Sequence, residues 1–118
     1  MQISVPSLDW QFRFRYLNLM SFYTIKEAIR GGFSLKLVLP DGEHVVEPHL
    51  LGRNRNGDAL LRAYEPRVNQ AKNQKVGWKL FRLDRISRAV ETGERFKAPR
   101  PRYKPNDRTM AGGIIERM

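Results

Sequence analysis

Cysteine is absent from the 118 residues, which excludes disulfides and any thiolate chemistry. Histidine is nearly absent: His44 and His49 are the only two. Five residues apart in an extended segment, they fall on opposite faces, which disfavours a shared metal unless Pro48 introduces a bulge. Long apolar runs are also missing. No stretch approaches the roughly 20 residues that cross a bilayer, so no membrane partner is expected. The opening "MQISVPSLDWQ" has no basic segment ahead of an apolar one, so no secretory signal is expected and the cytoplasm is the expected compartment. There is no glycine-rich loop of Walker type, no Gly-x-Ser-x-Gly elbow and no paired-carboxylate or Glu-x-Lys nuclease pattern. The chain reads as a non-enzyme without cofactor or metal.

What is abundant is positive charge. Lys and Arg number 22 against 12 Asp and Glu, a net charge of +10. Such an excess costs self-repulsion and favours phosphate-bearing partners, either nucleic acid or nucleotide. An acidic protein or plain solubility are the competing readings. The cations are dispersed among strands rather than lined along one amphipathic helix, which disfavours a membrane surface.

The length suits one domain with a modest core. In "LDWQFRFRYL", Trp10, Phe12, Phe14 and Tyr16 alternate with Gln11, Arg13 and Arg15, and this period of two predicts a strand. Its arginines fit an edge strand in water better than a base-stacking face. "YTIKEAIRGG" predicts a short helix over 24–30. Thr24 and Glu27 stand in capping-box register, Gly31 or Gly32 supplies the stop, and Ile25, Ala28 and Ile29 turn to the core. "FSLKLVLPDGEHVVEPHL" reads as a hairpin turning at Pro40-Asp41-Gly42, with Leu35, Leu37 and Leu39 on one face and Val45 and Val46 on the return. Pro48 belongs at an edge, a bulge or a strand end. A second turn has Asn56-Gly57 at its tip, and "ALLRAYE" follows as a strand with Leu61 and Ala63 on one face, Arg62 and Tyr64 on the other. A polar loop, "PRVNQAKNQKV", leads into "GWKLFRLDRISRA". That strand runs into a helical turn in which Leu83, Ile86 and Val90 take helical spacing. The rest is a basic, proline-containing tail with no clear period. The expected fold is mainly β: a small SH3/Sm-like barrel with one short N-terminal helix and an irregular basic tail. The expected organisation is an N-terminal strand or extension over 1–20, the barrel over 21–92 and the tail over 93–118. The tail either straps onto the barrel through Phe96 and Tyr103 or reaches out as a basic arm.

"IKEAIRGGFSLKLVLPDGEHVVEPHLLG", "LLRAY" and "FRLDRI" resemble, in order and spacing, the WYL domain. The tail "GERFKAPRPRYKPNDRTM" is similar to that of small stand-alone bacterial proteins with the same core. Together these cover about residues 24–108. The resemblance implies a ligand-binding or regulatory module of transcription regulators or phage-defence proteins, taking nucleic acid or nucleotide-like ligands. The chain departs from the pattern at three places. Ala59-Leu60-Leu61 stands where the family has Trp-Tyr-Leu, Val38 or Leu39 where a tyrosine is usual, and His44 where an arginine is customary.

The expected recognition patch is Arg62, Tyr64, Lys79, Arg82 and Arg85. Arg62 and Tyr64 put a guanidinium fork and an aromatic hydroxyl on one strand face, which suits phosphate. Lys79 and Arg82 point to opposite faces if their strand is regular, and Arg85 sits where the strand becomes a turn. The resemblance adds weight to Arg82 and Arg85. Each also has a structural reading: Arg85 as the partner of a local carboxylate, Arg82 and Arg88 as solvated cations. His49 reads as a half-buried hydrogen-bonding residue and His44 as one on an exposed strand; a hydrolase using either is a third reading. The alternative to a phosphate ligand is a protein-interaction or dimerisation module. The chain has no helix-turn-helix of its own.

Overall fold

The computed structural model describes residues 10–68, 74–97 and 99–118, with side chains from residue 19 onward. One helix, α1 (Trp10–Gly31), precedes six strands: β1 (Phe33–Leu39), β2 (Gly42–Arg53), β3 (Ala59–Glu65), β4 (Gly77–Arg82), β5 (Arg88–Arg95) and β6 (Gly113–Arg117). The chain is therefore mainly β.

The expected strand at residues 10–16 is helix instead, and the helix expected at 24–30 is its last third. Thr24 is thus an interior residue and not a cap. No proline or glycine interrupts residues 10–30, so once Ile25, Ala28 and Ile29 dock in the core, the helix extends backward without a second nucleation. A strand there would have needed a sheet neighbour that the topology does not supply. The helix stops as expected: Gly32 takes φ +72° and donates to the Ile29 carbonyl at 3.4 Å.

The β1–β2 hairpin forms in the register Leu35↔Val46, Leu37↔His44 and Leu39↔Gly42, leaving Pro40 and Asp41 at the tip. The twelve-residue β2 then changes neighbours. Its first half pairs with β1, and its second half lies between β3 and β6. Pro48 sits at a register shift against β3, the bulge position that a residue without N–H tolerates. The sheet order is β4-β3-β2-β1-β5, with β6 on β2. No ladder joins β4 to β5 among the described residues, so the sheet is open at its two outer strands.

Two further readings are corrected. The helical spacing from Leu83 to Val90 is a single 3-10 turn, Leu83–Arg85, followed by β5, which pairs with β1 through Leu37↔Ala89 and Lys36↔Val90. The tail is not irregular throughout: β5 spans the expected boundary at 92/93, and β6 ends the chain in the sheet. The polar loop at 66–76 lies partly outside the described residues, as does the start of the N-terminal segment.

Alternation along β2 and β3 builds two apolar layers. Leu51 and Leu61 face α1 in a core with Ile25, Ile29, Leu35, Leu37 and Phe81. Their neighbours Leu50 and Leu60 face the opposite way and are covered by Met110 and Tyr103. Residues 99–112, the strap, thus close the second side of the sheet. No helix among the described residues is long and apolar enough to cross a membrane.

Candidate ligand cleft between sheet and strap

The strap is fastened at His49, which is fully buried. One ring nitrogen, Nδ1, lies 2.8 Å from the Glu47 carbonyl, which can only accept. The other, Nε2, receives the Arg100 amide at 3.1 Å. The partners therefore fix a neutral ring with its proton on Nδ1, and burial pushes its pKa down from the ordinary value of 6.5. Trp78, Phe96 and Tyr103 surround the ring with centroids at 4.7, 5.2 and 5.3 Å. Arg100 then grips the buried Glu47 carboxylate with Nε at 2.6 Å and Nη2 at 2.9 Å, its guanidinium 4.7 Å above the Tyr64 ring. The Trp78 indole N–H donates to the Pro101 carbonyl at 3.0 Å. His49 goes beyond the expected half-buried residue, and no sequence feature marked it as the anchor of the tail.

This anchor has a pH signature. Because the folded pKa of His49 lies below the unfolded one, its contribution is complete above about pH 6.5 and is lost as pH falls through the lower folded value. Stability is expected to drop by up to about 1.4 kcal/mol per pH unit within that window. His49→Gln keeps a donor and an acceptor without titrating. Denaturant midpoints measured between about pH 5 and 7 should show a shallower acid limb for His49→Gln than for the native chain; equal limbs would rule the anchor out.

Beside the anchor, the strap and sheet enclose a cleft of about 380 Å³ lined by Arg62, Trp78, Arg102, Lys104, Asp107 and Thr109. Sheet and strap contribute to it differently. Arg62 and Trp78 come from the outer face of β3 and β4, where the register pairs Arg62 with Leu80 and Tyr64 with Trp78. Trp78 stacks on Tyr103 at 6.2 Å and 21° and meets the Tyr64 ring edge-on at 5.5 Å, so its indole is pinned from two sides beside the cleft. Arg62 Nε donates to Asp107 Oδ2 at 2.9 Å and Nη2 donates to the Thr109 hydroxyl at 3.2 Å. Burial raises the Asp107 carboxyl, but the Thr109 and Arg62 hydrogen bonds outweigh it and hold the group below its ordinary range. Arg102 occupies φ +69°, an uncommon backbone state for a residue with a side chain. Arg102 and Lys104 are exposed and no carboxylate neutralises either of them among the described residues. A flat pinned indole with uncompensated cations at its rim can accept a planar ring and an attached phosphate.

The five expected patch residues separate into three places. Arg62 lines the cleft, and Tyr64 supports it from below. Lys79 is on the opposite face of β4, 3.2 Å from the buried Glu65 carboxylate, and with the exposed Arg85 it lines a different hollow beside His44 and Phe81. Arg82 is taken up by Asp84 at 3.0 Å and Asp58 at 3.3 Å, which raise its pKa. It is therefore a structural clamp between the β2–β3 turn and the 3-10 turn. His44 is not exposed. It is buried between Glu65 (Nδ1, 2.9 Å) and Asp41 (Nε2, 2.9 Å), because the hairpin register aims it inward opposite Leu37. No group of three metal-ligating side chains occurs among the described residues. From sequence Trp78 reads only as barrel core or closure, and the strap is open between a fastened segment and a basic arm. Their positions depend on how residues 99–112 dock, which leaves no local pattern.

No family model, curated protein or solved structure matches the chain.

Proposed function

We propose that this chain is a non-enzymatic small β module that binds a nucleotide-bearing phosphate ligand in the cleft between sheet and strap. One observation carries the reading: the pinned Trp78 indole faces a cleft rimmed by Arg62, Arg102 and Lys104, on a chain of net charge +10. The indole takes a base by stacking, and the cations take its phosphate. Arg62, Trp78, Arg102 and Lys104 replace the five-residue patch as the recognising set. The resemblance to the WYL domain points to the same ligand class and to a regulatory or defence setting. Both histidines have both ring nitrogens engaged by the protein itself, which supports a binding role over hydrolysis.

The test is a salt titration with a fluorescent single-stranded oligonucleotide. Each phosphate contact is expected to lower affinity about 2.6-fold between about 50 and 200 mM salt, so that Arg102 and Lys104 together give about sevenfold and any further contact adds to it. Arg102→Asn with Lys104→Gln should weaken binding and flatten that dependence, while leaving the fold intact: both residues are exposed, and asparagine tolerates the left-handed backbone at 102. No binding at low salt would overturn the reading. It would also turn attention to the exposed Leu19, Met20 and Tyr23 of α1, the feature that favours a protein-docking module instead.

A further inference from the structure

The cleft does not end at Asp107. A second hollow of about 460 Å³, lined by Tyr103, Lys104, Pro105, Asn106, Asp107 and Arg108, shares Lys104 and Asp107 with the first. Trp78 lines one hollow and Tyr103 the other, and the two rings are stacked nearly parallel. Arg102, Lys104 and Arg108 run along the same stretch of strap. All three are exposed, and none has a hydrogen bond or ion pair among the described residues. Several cations elsewhere are compensated, Arg82 by Asp58 and Asp84, Arg100 by Glu47, Lys79 by Glu65 and Arg30 by Glu27 and Glu116. Arg55, Arg85 and Arg88 are not, among the described residues, so what sets the strap's cations apart is the pair of hollows they border. The strap thus sets uncompensated positive charge beside the Tyr103 ring, along two adjoining hollows.

We propose that the ligand is a single-stranded polynucleotide lying along both hollows, with about one phosphate for each of Arg102, Lys104 and Arg108. This rests on the reading given above and narrows it from nucleotides in general to a strand. A free mononucleotide fills the first hollow alone and leaves Arg108 unused. A duplex keeps its bases stacked on one another. Trp78 cannot swing out to reach them, because Pro101, His49 and Tyr64 hold it. Only an unpaired base enters. The contacts are to ring faces and phosphates, so either sugar satisfies the site.

The experiment compares the intact chain's affinity for a mononucleotide, for homopolymers of two to eight nucleotides in DNA and RNA form, and for a blunt duplex. Affinity should rise roughly tenfold or more from one nucleotide to about four and then level off. Arg108→Ala touches no partner in the fold. It should weaken the tetramer about threefold and leave the mononucleotide unchanged. A mononucleotide as tight as the tetramer, a duplex tighter than the single strand, or an Arg108→Ala variant with native tetramer affinity would each overturn the strand proposal while the cleft reading stands. If no length binds at low salt, the cleft reading itself falls.

Discussion

Replacing Arg100 with alanine is expected to cost about 3 kcal/mol of stability and to weaken ligand binding with it. Glu47 has only 8% of its side chain exposed and is held by two charge-assisted hydrogen bonds from Arg100. Removing the guanidinium leaves a buried carboxylate without its partner, and that loss commonly costs 3–5 kcal/mol. The lower end applies here because Arg100 itself is 37% exposed and water can partly reach the vacated site. The same substitution removes the cation from above the Tyr64 ring. The strap then rests on the residue-100 amide's bond to His49, on Trp78, Tyr103 and Met110, and on the Arg62–Asp107 pair, and Arg102 and Lys104 are held less firmly over the cleft. Urea denaturation measures the first effect, and hydrogen exchange at the Tyr103 and Gly112 amides locates it. A double variant, Glu47→Met with Arg100→Met, separates charge from packing. Two apolar groups of similar volume need no counter-ion, so the double variant should regain most of the stability that Arg100→Ala loses. An Arg100→Ala chain within about 0.5 kcal/mol of native would show that the pair behaves as an ordinary surface ion pair.

Much of the sheet was legible from residues because its signals are local. The β1–β2 hairpin is written in alternating leucines around Pro40-Asp41-Gly42, and β3 in the alternation of Leu61 and Ala63 with Arg62 and Tyr64. The stop of α1 is written in Gly31-Gly32. The misread segments depended on something distant. "WQFRFRYL" alternates as a strand does but carries no helix breaker, and the docking of Ile25 and Ile29 downstream decided in favour of helix. β6 is short and β5 is exposed along most of its length, and long-range pairing with β2 and β1 makes them strands, which no local period announces. The candidate site follows the same division. The outward position of Arg62 was legible because strand alternation puts it beside Tyr64 on the outer face. Arg82 was overvalued because Asp58, which neutralises it, lies 24 residues away in sequence. The cleft itself appears only when the strap lies on His49, and a buried histidine has no sequence signature that says what it will hold.

The strap's far end meets the β2–β3 turn main chain to main chain, and that makes Gly112 the second position of large expected effect. A Cβ at Gly112 would overlap the Asn54 carbonyl oxygen and come within 3.0 Å of the Arg53 oxygen and the Asn54 carbonyl carbon. The obstacle is main chain, so no side-chain rotation relieves it. Nor can the turn give way. Asn54 accepts from the Asn56 and Asp58 amides through Oδ1 at 3.0 and 2.9 Å, donates its own amide to the Asp58 carbonyl at 3.0 Å, and receives the Gly57 amide at 3.0 Å. The strain must therefore go into β6, breaking the Gly112 amide's bond to Arg53 at 2.8 Å and lifting the strand off β2. Ile115 and Met118 would withdraw from the core, and Arg117 would leave Pro105 and Asn106, which line the second hollow. Gly112→Ala is expected to cost about 3 kcal/mol, the upper end for forcing atoms into a packed site. Gly57→Ala provides the comparison: nothing lies within 4 Å of its Cβ, so it should lose only about 1 kcal/mol, from its left-handed backbone. Denaturant midpoints for the two variants, with hydrogen exchange over residues 113–117, test the ordering. If Gly57→Ala proves the more damaging, β6 is dispensable to the fold, and the second hollow loses the support that this contact gives it.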